Sequence, residues 1–149
     1  MYRHLLIPVD GSDASKAGLR EVVRFATPDV SMVRLVHVID SSMGGDSFDP
    51  GTVGDTIIQA SRHSGAAILA EAREVLTKND LHAECVLIES HGERVADRII
   101  AQAREWPADL IIMGSHGRRG LARAAMGSDA AEVLRKSPVP VLLVRAVYT

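Results

Sequence analysis

Residues 114–128 read Gly-Ser-His-Gly-Arg-Arg-Gly-Leu-Ala-Arg-Ala-Ala-Met-Gly-Ser, between a short apolar run, Asp109–Met113, and a segment with helical character. A strand that empties into a glycine-rich loop and then feeds a helix start is a place to hold an anion. Glycine lets the backbone approach a ligand closely and take positive φ. Unpaired N–H groups and the dipole at a helix start favour phosphate. The loop offers backbone donors at Gly117, Gly127, Ser128 and Asp129, with the Ser128 hydroxyl beside them and positive charge from Arg118, Arg119 and Arg123. The plainer alternative is a surface loop whose glycines, Gly120 included, serve turns, with Ser128 as an N-cap. No Gly-Lys-Ser/Thr makes it a P-loop, and no Gly-x-Gly-x-x-Gly follows the first strand.

Other reactive residue types carry weaker signals. Asp10 stands where a strand gives way to Gly11-Ser12-Asp13, so its carboxylate either contacts a ligand or caps the next turn. His116 lies inside the glycine loop, within reach of a phosphate. His4 and His37 fall in apolar runs and read as packed or strand-face residues, while His63, His82 and His91 lack paired metal-ligand spacing. Cys85, the single cysteine, lies in an apolar run and reads as a buried, inert thiol. Trp106-Pro107 reads as an anchor that ends a helix.

Positioning these groups falls to an alternation of strands and helices. The apolar runs at 4–9, 32–39, 83–89, 109–113 and 141–144 read as strands buried on both faces. Between them lie helices at about 13–26, 56–78, 93–105 and 128–136. The first is capped by Ser12 or Asp13, with Ala14, Ala17, Val22, Phe25 and Ala26 near one face. Gly65 allows a break in the second, residues 40–54 read as an exposed loop, and a short helical turn is expected near Leu121–Ala125. Such alternation predicts one α/β domain over residues 1–149, a five-stranded parallel sheet with helices on both faces. With strand order 3-2-1-4-5, the winding reverses between strands 1 and 4, where ligands of open α/β sheets bind, and Asp10 comes beside Gly114.

Composition narrows the function classes. A net charge of −2 gives no field for non-specific nucleic-acid binding, and 3% aromatics argues against a base-stacking platform. No segment approaches the roughly 20 apolar residues that span a bilayer. With no leader-like N-terminus and no cysteine pair, the expectation is a cytoplasmic protein without membrane partners.

Gly-x2-Gly-x9-Gly-Ser, at Gly114, Gly117, Gly127 and Ser128, resembles the nucleotide-binding motif of the universal stress protein family. Pro8-Val9-Asp10-Gly11-Ser12, Val36-His37-Val38-Ile39-Asp40 and Ser137-Pro-Val-Pro-Val-Leu-Leu-Val144 resemble that family's opening, second and closing strands. The match covers almost the whole chain. It implies an α/β homodimer paired through the C-terminal strand, binding ATP, with or without Mg²⁺. By the same resemblance, Pro8 and Val38 border the adenine and the Val38 backbone reads its edge. Asp10 contacts the adenosine portion, Met113 and Gly114 pass under the ribose, and Gly117, Gly127 and Ser128 hold the phosphates. One departure stands out: Asp129-Ala130 follows Gly-Ser where many ATP-binding members carry Val and a small polar residue. A carboxylate there complements the helix dipole, yet repels a triphosphate unless it points away or shares a metal. The expectation is a stress-response nucleotide sensor or binding module with no catalytic residues. The alternatives are a nucleotide-free dimeric interaction module, and an α/β enzyme acting on an adenylated or phosphorylated metabolite.

Overall fold

The computed structural model describes residues 1–41, 53–116 and 126–146, with side chains in the second stretch from residue 56 onward. Its elements are β1 His4–Pro8, α1 Asp13–Phe25, β2 Met32–Ile39, α2 Val53–Thr77, β3 Ala83–Glu89, α3 Val95–Glu105, β4 Leu110–Gly114, α4 Ser128–Lys136 and β5 Val141–Val144. All four strand pairings are parallel, in the order β3-β2-β1-β4-β5. The expected topology is the observed one.

The central strands are apolar on successive residues because both faces are covered. Leu5, Ile7, Leu110 and Ile112 point to one face and pack with Leu19 and Val22 of α1 and Leu69 and Leu76 of α2. Leu6, Ile111 and Met113 point to the other and pack with Ile99 and Ala103 of α3 and Ala130 and Val133 of α4. Each face also accepts alternate residues of β2, with Val33 and Leu35 on the first and Val36 on the second. Trp106 closes α3 as its C-cap and is 9% exposed, with His4 edge-on to its ring and the Arg34 guanidinium 4.8 Å above it.

Four local expectations are corrected. Helix α2 runs unbroken through Gly65. A Cβ at that position would lie 2.7 Å from side-chain atoms of both His37 and Leu87, so glycine there serves close helix–sheet packing and no kink. Phe25 leaves the buried stripe of α1: it is 47% exposed and stacks on Tyr2. Cys85 is exposed, not buried, because β3 is the sheet edge and α2 only partly covers it. Partial desolvation still holds its thiol pKa above the ordinary value. Helix α3 starts at Val95, two residues later than the spacing suggests. The expected turn at Leu121–Ala125 lies outside the described residues.

Candidate functional site

The site region is the C-terminal end of the sheet, where β1 and β4 part. β1 pairs with β2 over five positions, from His4↔Met32 to Pro8↔Val36. Its pairing with β4 covers only Leu5↔Leu110 and Leu6↔Ile111. Beyond that the two strands lead into different helices, at the reversal of winding where open α/β sheets form their ligand crevice.

The β1 side of the crevice is fixed by a short hydrogen-bond web. Gly11 has φ +79°, a conformation that favours glycine. The turn it makes lets Asp10 Oδ1 accept from Ser12 N–H at 2.9 Å. Ser12 Oγ accepts from Ser15 N–H at 3.1 Å, capping α1, and the Ser15 hydroxyl accepts from Asp10 N–H at 3.3 Å. One oxygen of Asp10 therefore takes the capping role. Pro8 ends β1 half-buried, where its missing N–H leaves no gap in a longer ladder.

Val38 lies two residues past the last β1–β2 pair, with its side chain against the second core. Val36 O accepts from Val9 N–H at 2.8 Å, so the backbone groups of Val36 are turned toward β1. Alternate residues of a strand address the same neighbour. The backbone of Val38 thus faces the space beyond the end of β1. His37 closes the floor of that space, its Nδ1 2.7 Å from Val9 O.

On the β4 side, Met113 is 7% exposed and belongs to the second core. Gly114 is where α1 crosses closest. A Cβ there would lie 2.7–2.8 Å from Ala14 C, Ala14 Cβ and Ser15 N. The glycine lets the first turn of α1 seat against β4, a packing demand the sequence motif does not announce.

Helix α4 begins one residue earlier than expected in role. Its N-cap is Gly127, at φ −61° and ψ 152°, with no side-chain cap, and Ser128 is the first helical residue. The Gly127 N–H, expected to be a free donor, is used: it donates to Ser115 O at 2.7 Å and pins α4 to β4. Ser128 and Asp129 are exposed in the first turn. Two salt bridges hold α4 to α3, Arg94 to Glu132 at 3.4 Å and Lys136 to Asp97 at 3.3 Å. The Arg135 and Lys136 side chains hydrogen-bonded to Glu132 keep its carboxyl below the usual range.

Thus Pro8, Asp10, Val38, Met113, Gly114, Gly127, Ser128 and Asp129 all lie on the elements that surround the crevice. Gly117, Arg118, Arg119, Gly120 and Arg123 lie outside the described residues. Sequence reasoning passed over Gly11, Ser15 and Ser115 as site residues; the Asp-Gly-Ser-Asp turn signal could have found the first. No group of three or more His, Cys, Asp or Glu placed to hold a metal occurs among the described residues. Nor, among them, is any helix long and apolar enough to cross a membrane.

Comparison with known proteins agrees with this architecture. A family model described as the universal stress protein family matches residues 1–145. The universal stress protein YxiE of Bacillus subtilis is 31% identical, over 97% of this chain and 100% of its own length. The universal stress protein MJ0577 of Methanocaldococcus jannaschii is 30% identical, over 97% of this chain and 96% of its own. Its solved structure superposes with a TM-score of 0.86 over 100% of this chain and 99% of that one, at 25% identity. The universal stress protein of Archaeoglobus fulgidus in complex with dAMP superposes with a TM-score of 0.67, at 26% identity, covering 96% and 98% of the two chains. The chain therefore belongs to the universal stress protein family.

Proposed function

We propose that this chain binds an adenine nucleotide, ATP by the family resemblance, in the crevice between β1 and β4. It acts as a stress-response binding module and not as a fast enzyme. The observation that carries the reading is the start of α4. A helix N-terminus with a glycine N-cap, no side-chain cap and an exposed serine opens beside the end of β4. Its first-turn N–H groups suit an anion. The dAMP complex of the Archaeoglobus fulgidus relative supports the same ligand class. On this reading Pro8 and the Val38 backbone flank the base, and Asp10 addresses the sugar. Met113 and Gly114 run beneath the sugar, and Gly117, Gly127 and Ser128 take the phosphates. With Gly127 N–H engaged by Ser115, the α4 donors left for phosphate are those of the residues that follow.

The chain acts as one domain over residues 1–149, in the cytoplasm, as a homodimer paired through β5. Val141 and Leu143 pack inward on the second core, while Leu142 is 36% exposed on this edge strand. An exposed apolar edge asks for cover, and a second copy about a two-fold axis supplies it. Neither nucleic acid nor membrane is a partner. Catalysis needs a positioned nucleophile and base that reach the reacting atoms; the Ser–His contact at the end of β4, Ser115 Oγ to His116 Nδ1 at 2.8 Å, has its serine only 5% exposed, which suits a structural bond better than attack on a ligand. Asp129, an acid in the first turn of α4, favours one second reading, a nucleotide-free dimeric module.

The test is the small molecule released when the purified protein is denatured, followed by titration of the stripped protein with ATP, ADP and AMP, with and without Mg²⁺. Adenine nucleotide in the supernatant and micromolar or tighter rebinding are expected. A protein that carries none and rebinds none is the nucleotide-free module.

A further inference from the structure

β3 is the sheet edge farthest from β5. Its seven residues, Ala83–Glu89, run in unbroken register with β2, from Val33↔Ala83 to Ile39↔Glu89. Proteins guard open edges with proline, lysine, a bulge or a very short strand. β3 has none of these. Ser90 N–H donates to Ile39 O at 2.9 Å, so the backbone of Ser90 is turned toward β2. Alternate residues of a strand address the same neighbour. The N–H and C=O groups of Ala83, Cys85, Leu87 and Glu89 therefore point away from β2, off the edge of the sheet.

Cys85 pairs with Leu35, which belongs to the α2 face of the sheet, so the side chains of Cys85 and Leu87 stand on that face. Leu87 is 38% exposed. With Ala66, Ala70 and Arg73 of α2 the two residues line an open groove of about 520 Å³. Helix and strand run in opposite directions along it. Gly65 lies against Leu87, and Cys85 Sγ donates to Leu69 O at 3.9 Å. Four residues of helix advance about 6 Å and two of strand about 6.5 Å, so Arg73 comes level with Ala83 at the start of β3. A second depression of about 360 Å³, lined by Arg73 and Ala83 among others, continues the groove there.

The carboxylates around the groove are answered from within the chain. Glu74 pairs with Lys78 and Glu84 with Arg34, each at 2.7 Å, and Glu89 pairs with Arg62. The Arg73 guanidinium has no hydrogen bond or ion pair among the described residues. A strand laid antiparallel on β3 travels toward Ala83, and a chain that ends there brings its carboxylate to Arg73, whose fork suits that group. A parallel strand would bring an N-terminal ammonium to the same place, and like charges repel.

We propose that the β3 edge and the α2 groove form a docking site for the carboxyl-terminal segment of a partner polypeptide, added antiparallel to the sheet with its terminal carboxylate on Arg73. Main-chain hydrogen bonds to Cys85 and Leu87 hold the segment, and its alternate side chains, small or apolar, lie against Ala66 and Ala70. The site is separate from the crevice between β1 and β4 and does not depend on nucleotide binding.

The test is a selection from random heptapeptides displayed with free carboxyl termini, followed by titration of ¹⁵N-labelled wild-type protein with the tightest binder. The binder should shift the amides of Cys85, Leu87 and Glu89 and leave those of β5 unmoved. Amidation of the peptide terminus should weaken binding about tenfold, and Arg73→Glu should weaken the free acid at least as much while leaving the amide little changed. Methylating the peptide nitrogens that face β3 should abolish binding, and methylating the alternate ones should not. A selection that enriches nothing, binders equally tight as amides, or shifts confined to another surface overturns the proposal. So does a wild-type chain whose Cys85 and Leu87 amides are already protected from hydrogen exchange in an oligomer larger than a dimer, because a second copy then covers β3. Peptide chemistry and the unsubstituted chain carry the result, so an unfolded variant cannot obscure it.

Discussion

Helices α1 and α4 both begin at the crevice, and they treat their first turns in opposite ways. α1 is closed by its own chain. Ser12 caps it, Asp10 caps the turn before it, and Gly114 lets it seat against β4. α4 begins at a glycine with no side-chain cap, and its first residues are exposed. Two helix dipoles converge on one crevice, and among the described residues only that of α1 is closed by a side-chain cap. The closed helix sets the wall, and the open one offers the charge.

The largest expected effect comes from disturbing the wall. Gly114→Val puts side-chain atoms into space already held by Ala14 and Ser15. Overpacking of this kind costs roughly 2–3 kcal/mol, a melting-temperature drop of about 5–10 °C. Thermal denaturation checks it, and an unchanged melting temperature would mean that α1 is free to move away from β4. Closing the open helix should act on binding instead. Gly127 has an ordinary negative φ, so Gly127→Asp fits the backbone and supplies a cap. Nucleotide affinity should fall more than tenfold while the melting temperature holds or rises slightly. Equal loss of both would remove the distinction between the two helices. Removing the cap of the closed helix, Ser12→Ala, should cost about 1 kcal/mol of stability by denaturant titration. The smallest effect is reserved for charge tuning. Asp129→Asn should tighten metal-free ATP binding a few-fold, by calorimetry, and the gain should shrink when Mg²⁺ is added.

Those contrasts divide along the line between what the sequence makes legible and what it leaves hidden. The strands were readable because runs such as Leu5-Leu6-Ile7 are apolar on consecutive residues, which only a sheet covered on both faces explains. The alternation of strands and helices made a parallel sheet readable, but did not by itself dictate the order that parts β1 from β4. Contacts between distant segments were not readable. Cys85 opens the apolar run Cys85-Val-Leu-Ile88, yet its exposure depends on β3 being an edge that α2 covers only in part. Gly65 and Gly114 look alike as helix breaker and ligand loop, but each is a point of close approach to another element. Gly127 looked like a free donor until Ser115, twelve residues earlier, turned out to hold its N–H. Asp10 carried two readings at once, and its bond to Ser12 realises the local one without using its second oxygen.

Trp106, the single tryptophan, decides how these experiments can be read out. It sits at the C-cap of α3, between His4 and Arg34, at the end of the sheet opposite the crevice. Its emission will follow the melting of the α3–α4 core and stay silent when a ligand enters between β1 and β4. Intrinsic fluorescence is therefore a clean optical gauge of unfolding for this chain and a blind one for occupancy. A flat fluorescence titration with nucleotide is the expected signal of a working binder as much as of an empty one.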